Sequence, residues 1–406
     1  MSMLKKYKKL FQKFLGNIYR KSLEWQRNLI KALKFFYLLA MFPIEIVGDI
    51  LFLGKRFKKG KIHNPKRILI VKIDQFGDVL FSTFMLPLIK EKYPEAQIDY
   101  LINPKTEFVI KNNPHISNIY YWEDPFLHFL LGREKSNKPP IWKILKRDFD
   151  LVKTIRKENY DAVINTRAYS PSTNIFWKLL RPKNLIAFDI AEQSFLADFW
   201  VDYDLYDEEW RNYLNLLLPL GINKSKAEFK PGFFNFNEKE FMEKLPGLNK
   251  KFIVISPVSF DKERNWPVER WKEVIDFLTE RNYQVVLTGL KSQENYLLSI
   301  SAAVASPNLF IISDISIPGL GSVFNNAEFF IGIDSFPAHL ALALNKPIIC
   351  FVNEQIYFLK NFSQKKFYMD ARCMIPLVDK VKIVPTTNST SEYVISLAEE
   401  LIGGEM

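Results

Sequence analysis

The chain has 406 residues, 48% of them hydrophobic and 25% charged, which is ample for two globular cores and excludes a disordered chain. Its net charge of +11 is local: thirteen Lys and three Arg against Glu24, Glu45 and Asp49 give residues 1–66 a charge of +13, so the remainder carries −2. A nucleic-acid enzyme more often carries its basic residues on the body, and the two Cys and four His lack disulfide or metal-ligand spacing, so no nucleic acid, metal or other cofactor is expected.

The basic arm is amphipathic. Leu4, Tyr7, Phe11, Phe14, Ile18, Trp25, Leu29, Leu33 and Phe36 recur at helical spacing while Lys and Arg fill the other faces. A second apolar run, Phe35 to Leu53, is interrupted by Pro43, Glu45 and Asp49 and lacks a small-residue cleavage site, which argues against both a signal peptide and a membrane span. Residues 1–60 are expected to lie in the plane of an anionic membrane surface, apolar side chains buried and cations on the headgroups. The alternative is a solvated helix packed on the body or on a partner.

After Pro65 the pattern alternates between short β runs and helices, as in a parallel sheet covered on both faces. A strand is expected at Arg67–Ile73, a helix at Asp78–Tyr93, a strand at Gln97–Ile102, a helix at Lys105–Asn112 and a strand at Ile119–Trp122. Residues 123–147, with Pro125, Gly132, Pro139 and Pro140, read as an insertion or mobile loop, before a helix near Leu151–Asn159 and a strand at Asp161–Asn165. A second alternation starts at Phe252–Ser256. It continues with a helix at Val268–Arg281, strands at Gln284–Thr288, Leu309–Ile312, Phe329–Ile333 and Pro347–Val352, and helices between them. Cys350 falls within the last of these apolar runs and reads as a reduced core residue. Lys230–Asn249, with two Pro and two Gly, reads as the linker between two α/β halves. The expected units are 1–66 as arm, 67–229 and 230–406. Ligands of such sheets bind beyond the carboxyl ends of the strands, so a cleft between the halves is expected.

Three strand-to-loop junctions carry unusual polar groups. Lys72-Ile73-Asp74-Gln75-Phe76-Gly77-Asp78 crowds two carboxylates at one helix start, where one would suffice as a cap. Ser256 to Pro267 holds Ser259, Lys262 and Arg264 before a helix, either as a solvated loop or as a grip for a diphosphate, to which a guanidinium donates two parallel hydrogen bonds. Asp334 and Ser335 end a buried strand before a helix bearing His339, where Ser335 could cap and backbone N–H groups could bind phosphate; His339 could equally be a core histidine.

Taken in order, "KIDQFGDVLFSTFMLPLIKEKYPEAQIDYL", "RNWPVERWKEVIDFL", "YQVVLTG" and "GIDSFPAHLALALNKPII" resemble glycosyltransferase family 9, the bacterial lipopolysaccharide heptosyltransferases, from Arg67 to about Val352. The resemblance implies a GT-B fold: two Rossmann-like domains facing a cleft, the first on the acceptor side and the second binding nucleotide sugar. It implies an inverting, metal-independent transfer of a heptose-like sugar, with Asp78 as catalytic base and Asp74 and Gly77 in the acceptor-side loop. Ser259, Lys262, Arg264, Thr288, Asp334, Ser335, Phe336 and His339 would bind the donor. The implied partners are a nucleotide-sugar donor such as ADP-heptose and a glycolipid or oligosaccharide acceptor, at the cytoplasmic face of the inner membrane. Val258 and Phe336 stand where the family usually has glycine, which leaves a different nucleotide sugar open. A non-catalytic scaffold and a sugar-nucleotide epimerase on the same fold are the competing readings.

Overall fold

The computed structural model describes residues 60–123, 140–168, 174–191, 194–204, 207–223, 229–258, 265–352, 380–386 and 389–403, and the backbone of 356–360 and 366–370. Most of the expected arm, the loop Ser259–Arg264 and Cys373 lie outside the described residues.

The first unit runs β1 (Arg67–Lys72), α1 (Phe76–Ser82), α2 (Met85–Lys92), β2 (Gln97–Ile102), α3 (Glu107–Ile110), β3 (Asn118–Tyr121), α4 (Ile141–Arg156), β4 (Ala162–Asn165), α5 (Asn174–Leu179), β5 (Leu185–Phe188), β6 (Phe199–Val201) and α6 (Glu209–Asn215). Its strands form one parallel sheet in the order β3-β2-β1-β4-β5-β6. Ile68, Leu69, Ile70 and Val71 are all buried, the unbroken apolar run of a strand covered on both faces.

The second unit runs α7 (Glu238–Lys244), β7 (Phe252–Ser256), α8 (Val268–Glu280), β8 (Gln284–Thr288), α9 (Glu294–Val304), β9 (Leu309–Ile312), α10 (Ile317–Asn326), β10 (Phe330–Ile333), α11 (Phe336–Ala343), β11 (Ile348–Val352), β12 (Ile356–Lys360), β13 (Lys366–Asp370), β14 (Val381–Pro385) and α12 (Ser391–Gly403). Six strands form a second parallel sheet, β14-β11-β10-β7-β8-β9, while β12 and β13 pair antiparallel with each other. Renumbered from β7, this order is the same 3-2-1-4-5-6 as in the first sheet. Cys350 is buried within β11.

Several expected elements shift, each for a local reason. The helix expected over Asp78–Tyr93 is two helices. Ser82 and Thr83 hydroxyls donate back to the Val79 and Leu80 carbonyls at 2.8 and 2.7 Å, and the Thr83 oxygen accepts the Gly232 N–H at 2.9 Å, which interrupts the helix there. Helix α4 begins at Ile141, so the last residues of the expected insertion are helical. Its apolar period was hidden because a carboxylate, Asp148, sits on the buried face, where it accepts the Trp122 indole N–H at 2.8 Å. Strands β5, β6 and β14, with three to five residues each, were not expected at all. The expected linker contains α7, started by the Asn237 side chain accepting the Glu240 N–H at 3.2 Å.

Residues Gly60 to Lys66 lie on the first unit: Ile62 is buried, and its N–H donates to the Pro219 carbonyl at 2.7 Å. The facing sides of the two units share one apolar cluster. Phe229 packs on it, with ring centroids 4.7 Å from Phe81, 5.5 Å from Phe84 and 5.6 Å from Trp210.

Candidate active site

In a 3-2-1-4-5-6 sheet the strand order reverses between the first and fourth strands, and the loops leaving those two strands open a crevice. In the first unit these loops follow β1 and β4; in the second they follow β7 and β10. The three junctions singled out in the sequence occupy three of these four positions. The fourth, after β4, supplies Arg167.

The β1 loop is built on buried charge. Lys72, with 1% of its side chain exposed, ends the strand and lies 3.0 Å from Asp74, whose other carboxylate oxygen is 3.0 Å from the Arg167 guanidinium. Asp74 is therefore neither a cap nor an available base: it neutralises two largely buried cations. The Lys72 ammonium also donates to the Tyr213 hydroxyl at 2.5 Å, and Tyr203 donates to buried Glu209 below it. Burial alone would lower the Lys72 pKa, but the carboxylates of Asp74, Asp78 and Glu209 outweigh it and hold the group above its ordinary value. Burial pushes the Glu209 carboxyl up, against the Tyr203 hydroxyl and the Lys72 charge.

Asp78 is the third residue of α1, half-buried in the first turn, and no side chain caps that helix. It has no hydrogen bond or ion pair among the described residues, in contrast to Asp74. The cap explanation for either carboxylate thus fails, and the two acids differ in kind. One is consumed by buried cations; the other is left to face the helix start with an open carboxylate.

Across the junction, Asp334 follows β10 and Ser335 precedes α11. Ser335 does not cap α11 as expected: its hydroxyl donates back to the Ile333 carbonyl at 3.0 Å. Pro337 has no N–H and the amides of Ala338 and His339 turn to the Ser335 carbonyl, which leaves the donors of this helix end at Ser335 and Phe336. His339 points at the first unit. Its Nε2 lies 3.8 Å from an Asp334 oxygen, its buried Nδ1 has no hydrogen-bond partner, and its ring stands edge-on to Phe81 at 5.6 Å.

Helices α1 and α11 are in direct contact. A Cβ on Gly77 would stand 2.6 Å from the His339 ring, so glycine is required there for close approach and not for a turn. Beside it the rings of Phe76 and Phe336 meet at 5.6 Å. The structure therefore brings Asp74, Gly77 and Asp78 together with Asp334, Ser335, Phe336 and His339. Thr288 is buried at the end of β8, one strand beyond β7 from the crevice. Val258 is buried too, its methyl 3.2 Å from where a Cβ on the neighbouring Gly289 would lie. Ser259, Lys262 and Arg264 fall outside the described residues; Trp266, which follows them, is buried against Trp271 and Phe351. Lys72, Arg167, Glu209 and Tyr213 were not foreseen as a unit; a lysine closing an otherwise apolar strand was the one signal in the sequence.

A family model described as glycosyltransferase family 9 (heptosyltransferase) matches residues 149–355, half of the chain. The chain belongs to glycosyltransferase family 9. It is 26% identical over 285 residues to lipopolysaccharide heptosyltransferase 3 of Escherichia coli, covering 67% of this chain and 79% of that one, and 29% identical to the counterpart from strain K12, covering 67% and 78%. Among solved structures it superposes on a glycosyltransferase family 9 protein from Veillonella parvula with a TM-score of 0.64, 17% identity and coverage of 83% and 97%. E. coli ADP-heptose lps heptosyltransferase II follows, with a TM-score of 0.62, 16% identity and coverage of 84% and 100%. The glycosyltransferase thus has the GT-B arrangement that the motifs implied, and family membership decides against the scaffold and epimerase readings. The family match begins beyond the β1 loop, so Asp78 stands on its own geometry and on the motif around it.

Proposed function

We propose that this family 9 glycosyltransferase moves a heptose-like sugar from a nucleoside diphosphate donor to a lipopolysaccharide-core or other lipid-linked glycan, with inversion and without a metal ion. The observation that carries the reading is the contact of α1, which bears Asp78, with α11, which bears His339, at the crevices of both sheets. ADP-heptose is the leading donor. A structural neighbour is named as binding ADP-2-deoxy-2-fluoro heptose, and the related E. coli proteins are named as lipopolysaccharide heptosyltransferases.

In the proposed reaction, residues 67–229 hold the acceptor and 230–406 the donor. The acceptor oxygen attacks the anomeric carbon while Asp78 takes its proton; the bond from that carbon to the diphosphate oxygen breaks, and the diphosphate leaves with the electron pair. Charge growing on the leaving group is met by Lys262, Arg264 and the Ser335 and Phe336 amides. Asp334 orients the sugar, with His339 beside it, while Ser259 and Thr288 complete the donor side. Asp74, held by Lys72 and Arg167, fixes the loop that carries the base. Residues 1–60 hold the enzyme on the cytoplasmic face of the inner membrane, where its acceptor is embedded.

The Asp78→Asn variant tests the assignment. Shape and fold are kept and the proton acceptor is lost, so turnover falls by roughly 10² to 10⁴ while donor affinity stays within about twofold. Near-normal turnover would overturn it.

A further inference from the structure

Helix α4 presents an apolar stripe to solvent on the acceptor-side unit. Trp142 is 63% exposed, Leu145 44% and Phe149 69%, at the i, i+3, i+7 spacing of one helix face. The adjoining face is satisfied: Ile144, Asp148 and Ile155 are buried. Lys143, Lys146, Lys153 and Arg156 surround the stripe, against Asp150 as the acidic residue beside it. Large apolar side chains outward, ringed by cations, are the composition of an interfacial helix and not of a solvated one.

The position of α4 fits the same occupant. It returns antiparallel to the strands between β3 and β4, so its Trp142 end lies at the crevice side of the sheet and its Arg156 end at the opposite edge. At that edge Arg67 pairs with Glu158 and the Lys66 N–H donates to Asp161 at 2.7 Å, so the residues that lead into β1 lie beside the end of α4, while Gly60 lies against Phe199 of β6. The helix has 16 residues and thus runs about 24 Å from the edge where β1 starts to the crevice side.

We propose that α4 is a second membrane-contact surface, which lies on anionic phospholipid along its Trp142-Leu145-Phe149 stripe and turns the acceptor crevice toward the lipid plane. This goes beyond the catalytic reading and is independent of it, because vesicle binding is measured without turnover.

The test uses the full chain with vesicles of phosphatidylglycerol and phosphatidylethanolamine, and with phosphatidylcholine vesicles as the uncharged control. Hydrogen exchange of residues 141–156 is expected to slow on the anionic vesicles and not on the control. Trp142→Ser with Phe149→Ser is expected to weaken vesicle affinity about tenfold with an unchanged thermal midpoint, since both side chains are already exposed. Lys146→Glu with Lys153→Glu should weaken it too, and only at low salt. Unchanged affinity in both variants, or protection of 141–156 that depends on protein concentration without lipid, as a contact between two copies would give, overturns the proposal.

Discussion

At the residue scale, the two carboxylates of the β1 loop separate by what holds them. Asp74→Asn strips a buried site of the charge that balances Lys72 and Arg167, and losing one partner of such a pair costs about 3 to 5 kcal/mol. Urea unfolding should therefore show Asp74→Asn to be strongly destabilised while Asp78→Asn is not; equal stabilities would contradict the division of roles. Glu209 adds a pH signature. Its folded pKa is raised by burial above the ordinary 4.5, so the folded state holds the proton more tightly than the unfolded chain. The resulting stability is present below about pH 4.5 and is lost as pH rises through the folded value. Glu209→Gln, which keeps the hydrogen-bonding shape, should flatten that loss in thermal midpoints taken across the same window, and an unaltered pH profile would remove Glu209 from the account. On the donor side, Arg264→Ala should weaken nucleoside-diphosphate binding by about 1.5 to 3 kcal/mol, the range for a hydrogen bond to a charged group. Calorimetry that finds the affinity unchanged would return Arg264 to a solvated loop.

At the element scale, β1, β2, β7, β8 and β9 lie where the pattern put them to within a residue. What escaped were short strands such as β6 and elements whose buried face carries a charge, as α4 does with Asp148, because periodicity counts only apolar residues. The same blindness applies to the site. Asp74 and Asp78 were visible as a crowded pair, but the cations that distinguish them come from β1 and from the loop after β4, 93 positions away for Arg167, and no local pattern announces that meeting. The contact of α1 with α11 was equally invisible, although Gly77 marked the place. Gly77→Ala should drive a methyl into the His339 ring, lowering stability by about 1 to 3 kcal/mol and turnover with it. His339→Ala in the same chain makes room, so the double variant should recover stability relative to Gly77→Ala alone. Strict additivity of the two changes would mean that the helices do not meet there in solution.

At the scale of the whole molecule, charge and fold divide the labour. The body carries almost no net charge and the two crevices, while the arm carries the excess of cations. No helix among the described residues is long and apolar enough to cross a membrane. Removing residues 1–60 should weaken flotation with anionic liposomes, and raised salt should weaken the intact chain as exposed charge is screened. Flotation equal with and without the arm would contradict its role. The central claim is sugar transfer with inversion at the junction of the two units. It is tested most directly by incubating the purified full chain with ADP-heptose and a heptose-deficient lipopolysaccharide core, following nucleotide release, acceptor mass and the anomeric configuration of the product by NMR. The account predicts one heptose added per diphosphate released, at an anomeric centre opposite to the donor's, with the reaction undiminished by a chelator. Release of nucleotide without a heavier acceptor, or a product that keeps the donor's configuration, would contradict it.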